Sequence, residues 1–445
     1  MVIIVVLLLG AAAPAAAKLK TYTLRHGPVA MGGFNVRFAN PVVRSPRVDG
    51  YIVRMHARLV DAKGRRVTVS DVMLHHVVFR RRWRPRARRE CSSPTGEAFY
   101  GSGEENQALR LPAGHGYRIR ARHRWRMTAM LMSHSRRLSN VYVQYRVAVE
   151  TRARLTPVHA FWVRANGCGP KISYPIYGGG PPGSTNVRAF SWRVPYSGRI
   201  VAAGGHLHGA AKDMWLSQPR CGDRRLLDNR PFYGMPDHLY YRAVPTLHEP
   251  GPVDTSYFMS RTGIPVIRGE TLRLTATYDA ERPHPRVMAI THVYLAPARR
   301  VPRGCDPLPA DRLQLKKYGR VRAEPPQVTV PLTGLDEHGG TYSITAPPWP
   351  VRPLSSGAVV DLGDRGFVPP HISLRSGSVL TWRFTSRTPH NVSFASGPRL
   401  MGSPTLSKGR TYTNRFGVPG RYELFCYLHP VTMHQVVEVL PNGSG

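Results

Sequence analysis

Apolar and polar residues alternate with a period of two along much of the chain, and no long stretch keeps helical spacing. Alternation of this kind marks strands with one buried face. It is clearest over residues 141–149, 271–278, 287–295, 379–384 and 436–440. Turn residues punctuate the runs, as in Pro112-Ala113-Gly114, the glycine–proline stretch 178–183 and Val418-Pro419-Gly420. The pattern predicts an all-β protein. Breaks fall near residue 151 and across 298–355, where Arg299-Arg300, Lys316-Lys317 and a proline-rich stretch over 346–353 read as a linker. The expected organisation is a β domain over 18–150, a second over 151–297, a linker over 298–355 and a third β domain over 356–441. A length of 445 residues agrees with three domains.

Composition narrows this picture. Apolar residues make up 42% of the chain, enough for ordinary cores, so a wholly disordered chain is excluded. The 42 Gly and 41 Pro follow no period, which excludes collagen and fits a turn-rich β protein. The formal net charge is +37, and only 8 of the 63 basic residues are Lys. Such a charge ordinarily points to nucleic acid. The chain start argues otherwise. Residues 2–13 are apolar and Ala15-Ala16-Ala17 offers a cleavage site before Lys18, so 1–17 reads as a secretory signal peptide, although it carries no Lys or Arg. The run is too short to span a bilayer, and no other transmembrane segment is expected. The mature protein is therefore expected to be secreted or extracytoplasmic, in the cell envelope. Its charge partner would be an anionic cell-envelope polymer or lipid head groups, not nucleic acid. The Arg-rich run 80–89, which includes Trp83, is read the same way. Four of the five cysteines, Cys91, Cys168, Cys221 and Cys305, can form one or two bridges in an oxidising compartment, with the pairing left open.

The fifth cysteine sits in a different context. Cys426, His429 and Met433 share one short loop after a strand, in Tyr422-Glu-Leu-Phe-Cys-Tyr-Leu-His-Pro-Val-Thr-Met433, and His390 lies upstream in Thr388-Pro-His-Asn-Val-Ser-Phe394. A thiolate and two imidazoles with a weak axial thioether make the ligand set of an electron-transfer copper site. The segment 356–441 resembles the plastocyanin/amicyanin family of blue copper proteins, the cupredoxins, through "RFTSRTPHNVSF", "VPGRYELFC" and "HQVVEVL". The resemblance implies a Greek-key β-sandwich holding one type 1 copper on His390, Cys426, His429 and Met433. The C-x2-H-x3-M spacing differs by one residue from both plastocyanin-like and amicyanin-like loops.

A second histidine pattern lies further forward. His75-His76 lie in "DVMLHHVVF", His134 in "MLMSH", His206 and His208 in "VAAGGHLHG", and Met288 in "HPRVMAI". Period two puts His206 and His208 on one strand face, within reach of one metal. His75 and His76 would point to opposite faces of a regular strand, so joint ligation needs a bulge or different ring nitrogens. The order of these motifs over 30–297 resembles the copper type II, ascorbate-dependent monooxygenases, the peptidylglycine and dopamine β-monooxygenase family. That resemblance implies two jelly-roll-like β-sandwich domains facing across an open cleft, with two type 2 coppers. One, supplying electrons, would be held by His75, His76 and His134. The other, binding O2, would be held by His206, His208 and Met288. Gly204, Ile290 and His292 stand where the peptide-amidating members carry Arg, Asn and Tyr, so a peptidylglycine substrate is not expected. "MLHHVVF" and "GGHLHGAAKDMWL" also resemble a plant stress-induced nodulin-like family. Two functions stay open at this point. In one, a type 1 copper domain relays electrons from a one-electron donor to a monooxygenase that hydroxylates a small organic substrate. In the other, the protein is a non-enzymatic copper-binding or electron-transfer protein whose front half is a scaffold or copper store.

Overall fold

The computed structural model describes residues 18–443, except 33–35, 82–90, 92–96, 135–138, 152–153, 170–171, 177–182, 240–248, 281–283, 318, 324, 326–332, 336–340, 344–349, 427 and 430–432. The signal-like segment 1–17, most of the Arg-rich run and half of the proline-rich stretch lie outside the described residues. Among the described residues the regular structure is almost wholly strand, and Pro219–Cys221 is a single 3-10 turn. All five expected runs are strands. The run 287–295 is broken at Met288, between His284–Val287 and Ala289–Pro297. No helix among the described residues is long and apolar enough to cross a membrane.

Three sandwiches follow one another. In the first, a sheet ordered Leu19–Met31, Ser139–Glu150, Gly50–Val60, His115–Ile119 faces a sheet ordered Val36–Ala39, Trp125–Ser133, Val72–Arg81, Glu97–Gly103. Ile52, Met55, Val77, Phe79, Trp125, Met127 and Tyr145 fill the space between. In the second, His159–Arg164, Ala289–Pro297, Gly198–Leu207 and Tyr257–Val266 face Thr185–Arg193, Thr271–Asp279, Ala211–Gln218 and Arg224–Asp228. The third pairs Ala358–Gly363 and His371–Arg375 in parallel with Ser378–Phe384 and His434–Leu440 around Trp382. Part of the 298–355 stretch is more than spacer. Leu313–Leu315 adds a strand to the second body and Arg352–Pro353 one to the third, because both segments carry backbone groups that match an open sheet edge.

The bodies share packed faces. Val201, Ala202, Tyr257 and Tyr294 of the second body belong to the first body's core cluster, and Tyr294 donates its hydroxyl to the Phe99 carbonyl. The two front sandwiches thus meet over a dry face where the resemblance implies an open cleft. Glycine makes this approach feasible: a Cβ on Gly103 would lie 2.5 Å from a His206 ring carbon. A Cys91–Cys168 disulfide fastens the same two bodies, and Cys221–Cys305 closes the second.

The Val72–Arg81 strand carries a bulge where Leu74 pairs with Leu131 and His76 with Met130. One extra residue reverses the alternation. Val72 and Leu74 face inward before it, and Val77 and Phe79 after it. Met73 and His76 are left on the outer face, where Met130 and Met132 also lie on the neighbouring strand. Val36, Met73, Met130 and Met132 form one packed apolar cluster with Leu428, Met433 and the rest of the third body's core.

Candidate metal centres

The first centre is local. Cys426 follows the Gly420–Phe425 strand, and its N–H donates to the Met433 carbonyl. His429 N–H donates to the Cys426 carbonyl and Met433 N–H to the His429 carbonyl, so the loop folds back on itself. His390 is held by reciprocal backbone bonds with Leu406. The Cys426 Sγ lies 3.8 Å from His390 Nδ1 and 3.6 Å from His429 Nδ1. Metal bonds of about 2.0 Å to nitrogen and 2.3 Å to sulfur, at about 120°, put the two donors roughly 3.7 Å apart, so the geometry fits a trigonal metal. Cys426, His390 and Met433 are all buried. Burial lowers the affinity of both imidazoles for protons, opposed at His390 by Asp364, and at His429 reinforced by His390 and Arg37. Both are therefore neutral near pH 7, the form that ligates. Met433 is set beside Cys426 by its backbone and packs in the same cluster.

The fold and donor set define a cupredoxin. No family model matches the chain. Amicyanin-alpha of Methylorubrum extorquens is 36% identical over 81 residues, 18% of this chain and 68% of the relative. Amicyanin of Paracoccus denitrificans is 29% identical over 94 residues, 20% of this chain and 72% of the relative. A solved reduced-state amicyanin mutant is 31% identical, covers 19% of this chain and 83% of its own, and gives a TM-score of 0.18. Through this segment the chain belongs to the amicyanin family, and the segment is a copper electron-transfer domain with a type 1 site. These matches span about a fifth of the chain, and the monooxygenase-like and nodulin-like resemblances over 30–297 gain nothing from them.

The second cluster joins two bodies. The bulge turns His75 and His76 toward each other, with their Nδ1 atoms 2.7 Å apart. His206 ends the Gly198–Leu207 strand with Leu207, and His208 lies just beyond it. The His76 Nε2 is 3.0 Å from the Nε2 of His206 and 3.0 Å from that of His208. The resemblance implies His75 and His76 with His134, and His206 and His208 with Met288. The structure instead gathers four of these histidines from both groups into one cluster. His134 is set apart: its N–H donates to Asp71, four residues before His75, which is roughly 13 Å along a strand. Its Nδ1 bonds the Val69 carbonyl at 2.8 Å. Met288 is half-buried beside the cluster, its carbonyl accepting from His208 N–H at 3.3 Å.

Two carboxylates that the sequence did not single out complete the cluster. His75 Nε2 is 3.3 Å from Glu104 Oε1, and His206 Nδ1 is 3.0 Å from Glu105 Oε2. Burial pushes the Glu105 carboxyl up, but His206 and the Gly103 N–H outweigh it and hold the group below its usual value. The only sequence signal was an adjacent acidic pair after Gly101-Ser102-Gly103, in a chain with 26 acidic residues against 63 basic ones. Beside the cluster, His292 is buried against Trp162 at 4.2 Å between ring centres, its Nε2 without a hydrogen-bond partner among the described residues.

Proposed function

We propose that this chain is an exported copper electron-transfer protein whose cupredoxin domain exchanges electrons with a second metal centre in the front half. The observation that carries this is the convergence of Cys426, His390 and His429 at ligand distances in a buried loop. Copper there would be held by Cys426, His390 and His429 with Met433 as the further candidate ligand, and would supply a one-electron couple. The chain's own contribution is a dry connection. Met130 packs in the same cluster as Met433 and stands directly opposite His76 in the strand ladder. The methionines keep water out of the path, and the front half becomes the internal partner of the carrier. Two disulfides and the signal-like start support export. The test is anaerobic: the copper-loaded protein is reduced through its blue centre with a substoichiometric one-electron donor. Loss of the front half's Cu(II) signal in wild type, but not in Cys426→Ser, is expected. Equal rates in both would sink the internal exchange.

A second reading makes the front half an enzyme that hydroxylates a small organic substrate with O2, ascorbate-like donors supplying the electrons. What favours it is the meeting of imidazoles from two sandwiches beside Met288. Ascorbate-driven O2 consumption should then fall at least tenfold in Met288→Ala. The same low rate in wild type and variant would favour a non-enzymatic copper store. An anionic cell-envelope polymer as surface partner is tested by pull-down across a salt series, since such binding weakens as salt screens it.

A further inference from the structure

The structure assigns to this protein a single metal site shared between its two front sandwiches, with the Nε2 atoms of His76, His206 and His208 as ligands for a late first-row divalent cation. This deepens the reading above, whose second metal centre it specifies, and uses none of the cupredoxin's residues.

Glu105 accepts from His206 Nδ1–H, so the His206 Nε2 carries a lone pair. The Nδ1 atoms of His75 and His76 share one proton at 2.7 Å, and with it on His76 the His76 Nε2 is also a lone-pair donor. His75 Nε2 lies 3.3 Å from Glu104 Oε1, an ion-pair distance. The His76 Nε2 faces the Nε2 of His206 and that of His208, each at 3.0 Å. A cation among the three would take one lone pair from each ring. With metal–nitrogen bonds of about 2.0 Å, neighbouring ligand nitrogens sit roughly 2.8 to 3.3 Å apart, from square to tetrahedral geometry.

The ring atoms of His75, His76 and His208 also come within 4.8 Å of one another, so distance alone would admit His75 as a ligand. Its Nδ1 is shared with His76 and its Nε2 lies at ion-pair distance from Glu104, which makes it a positioning residue. Carboxylates behind ligating imidazoles are the usual way such rings are oriented. Both carboxylates are themselves anchored: Glu104 Oε2 accepts from Gly251 N–H and Glu105 Oε1 from Gly103 N–H. An all-imidazole set suits copper or zinc. Because His76 comes from the first sandwich and the other two from the second, the metal also ties the sandwiches together.

The full chain carrying Cys426→Ser, which lacks the thiolate site, is titrated with Cu(II) alone and read by metal analysis and by the nitrogen coupling in its EPR spectrum. Binding of about one copper per chain, lost in His76→Ala and equally in His208→Ala, is expected. Glu105→Gln should keep the stoichiometry and weaken affinity about 10- to 100-fold. Two independent coppers, one lost with His76 and the other with His208, would overturn the shared site, as would no binding. The same substitutions made with Cys426 intact guard against misfolding: the blue absorption should persist. If His76→Ala loses it, Glu105→Gln decides by its affinity alone. Failure of the thiolate site would remove the blue absorption and leave this titration unchanged, so the two ideas fail separately.

Discussion

The Cys426 centre and the His76 centre are built in opposite ways. Three of the four candidate ligands of the first lie within eight residues on one loop, and a single sandwich completes it. The second draws its histidines from two sandwiches, and its shape depends on a bulge, on a glycine that admits His206 and on two carboxylates from a turn. A local site is robust to how domains are arranged. A shared site exists only while the interface does, so it can report on that interface.

The largest separation of the two should come from Cys426→Ser. Blue absorption and the type 1 EPR signal disappear, while copper binding at His76 stays; loss of both would show that the centres are not independent. Next is the bridge between the sandwiches. Replacing Cys91 and Cys168 by Ser opens a link spanning 77 residues and should lower front-half stability by about 2 to 4 kcal/mol. Metal affinity at His76 should fall with it, and the blue centre should be unchanged. Denaturant unfolding followed at both centres checks this.

Acid should also act on the interface first. Burial pushes the His292 imidazole down from 6.5 to about 3. A base whose folded value is depressed contributes stability that is present above 6.5 and is lost as pH falls toward 3. By pH 5 the loss is about 2 kcal/mol, and His292→Phe should flatten the profile over that range. An unchanged slope would mean that His292 finds a proton acceptor on folding. The smallest expected effect is Gly103→Ala. Its new methyl would meet the His206 ring at 2.5 Å, so His206 must shift, and copper affinity at the shared site should drop about tenfold. The thiolate centre should not respond.

Much of the fold was legible because strand alternation is a local property. The runs at 141–149, 271–278 and 379–384 all lie in strands. The thiolate centre was legible for the same reason, since Cys426, His429 and Met433 are neighbours in sequence and only His390 had to be brought in. The pairing of four cysteines was left open and was decided by which loops meet. That joint ligation by His75 and His76 would need a bulge or different ring nitrogens followed from period two alone, but the bulge itself and the partners it selects did not.

The sequence by itself thus determined an all-β chain and the donor set of a cupredoxin. Only the tertiary structure decided that His76 meets His206 and His208 while His134 stays apart, and that Glu104 and Glu105 stand behind the rings. The physical reason is that periodicity fixes which face a side chain occupies, whereas the partner across that face is fixed by how separate sheets pack, which no local pattern encodes.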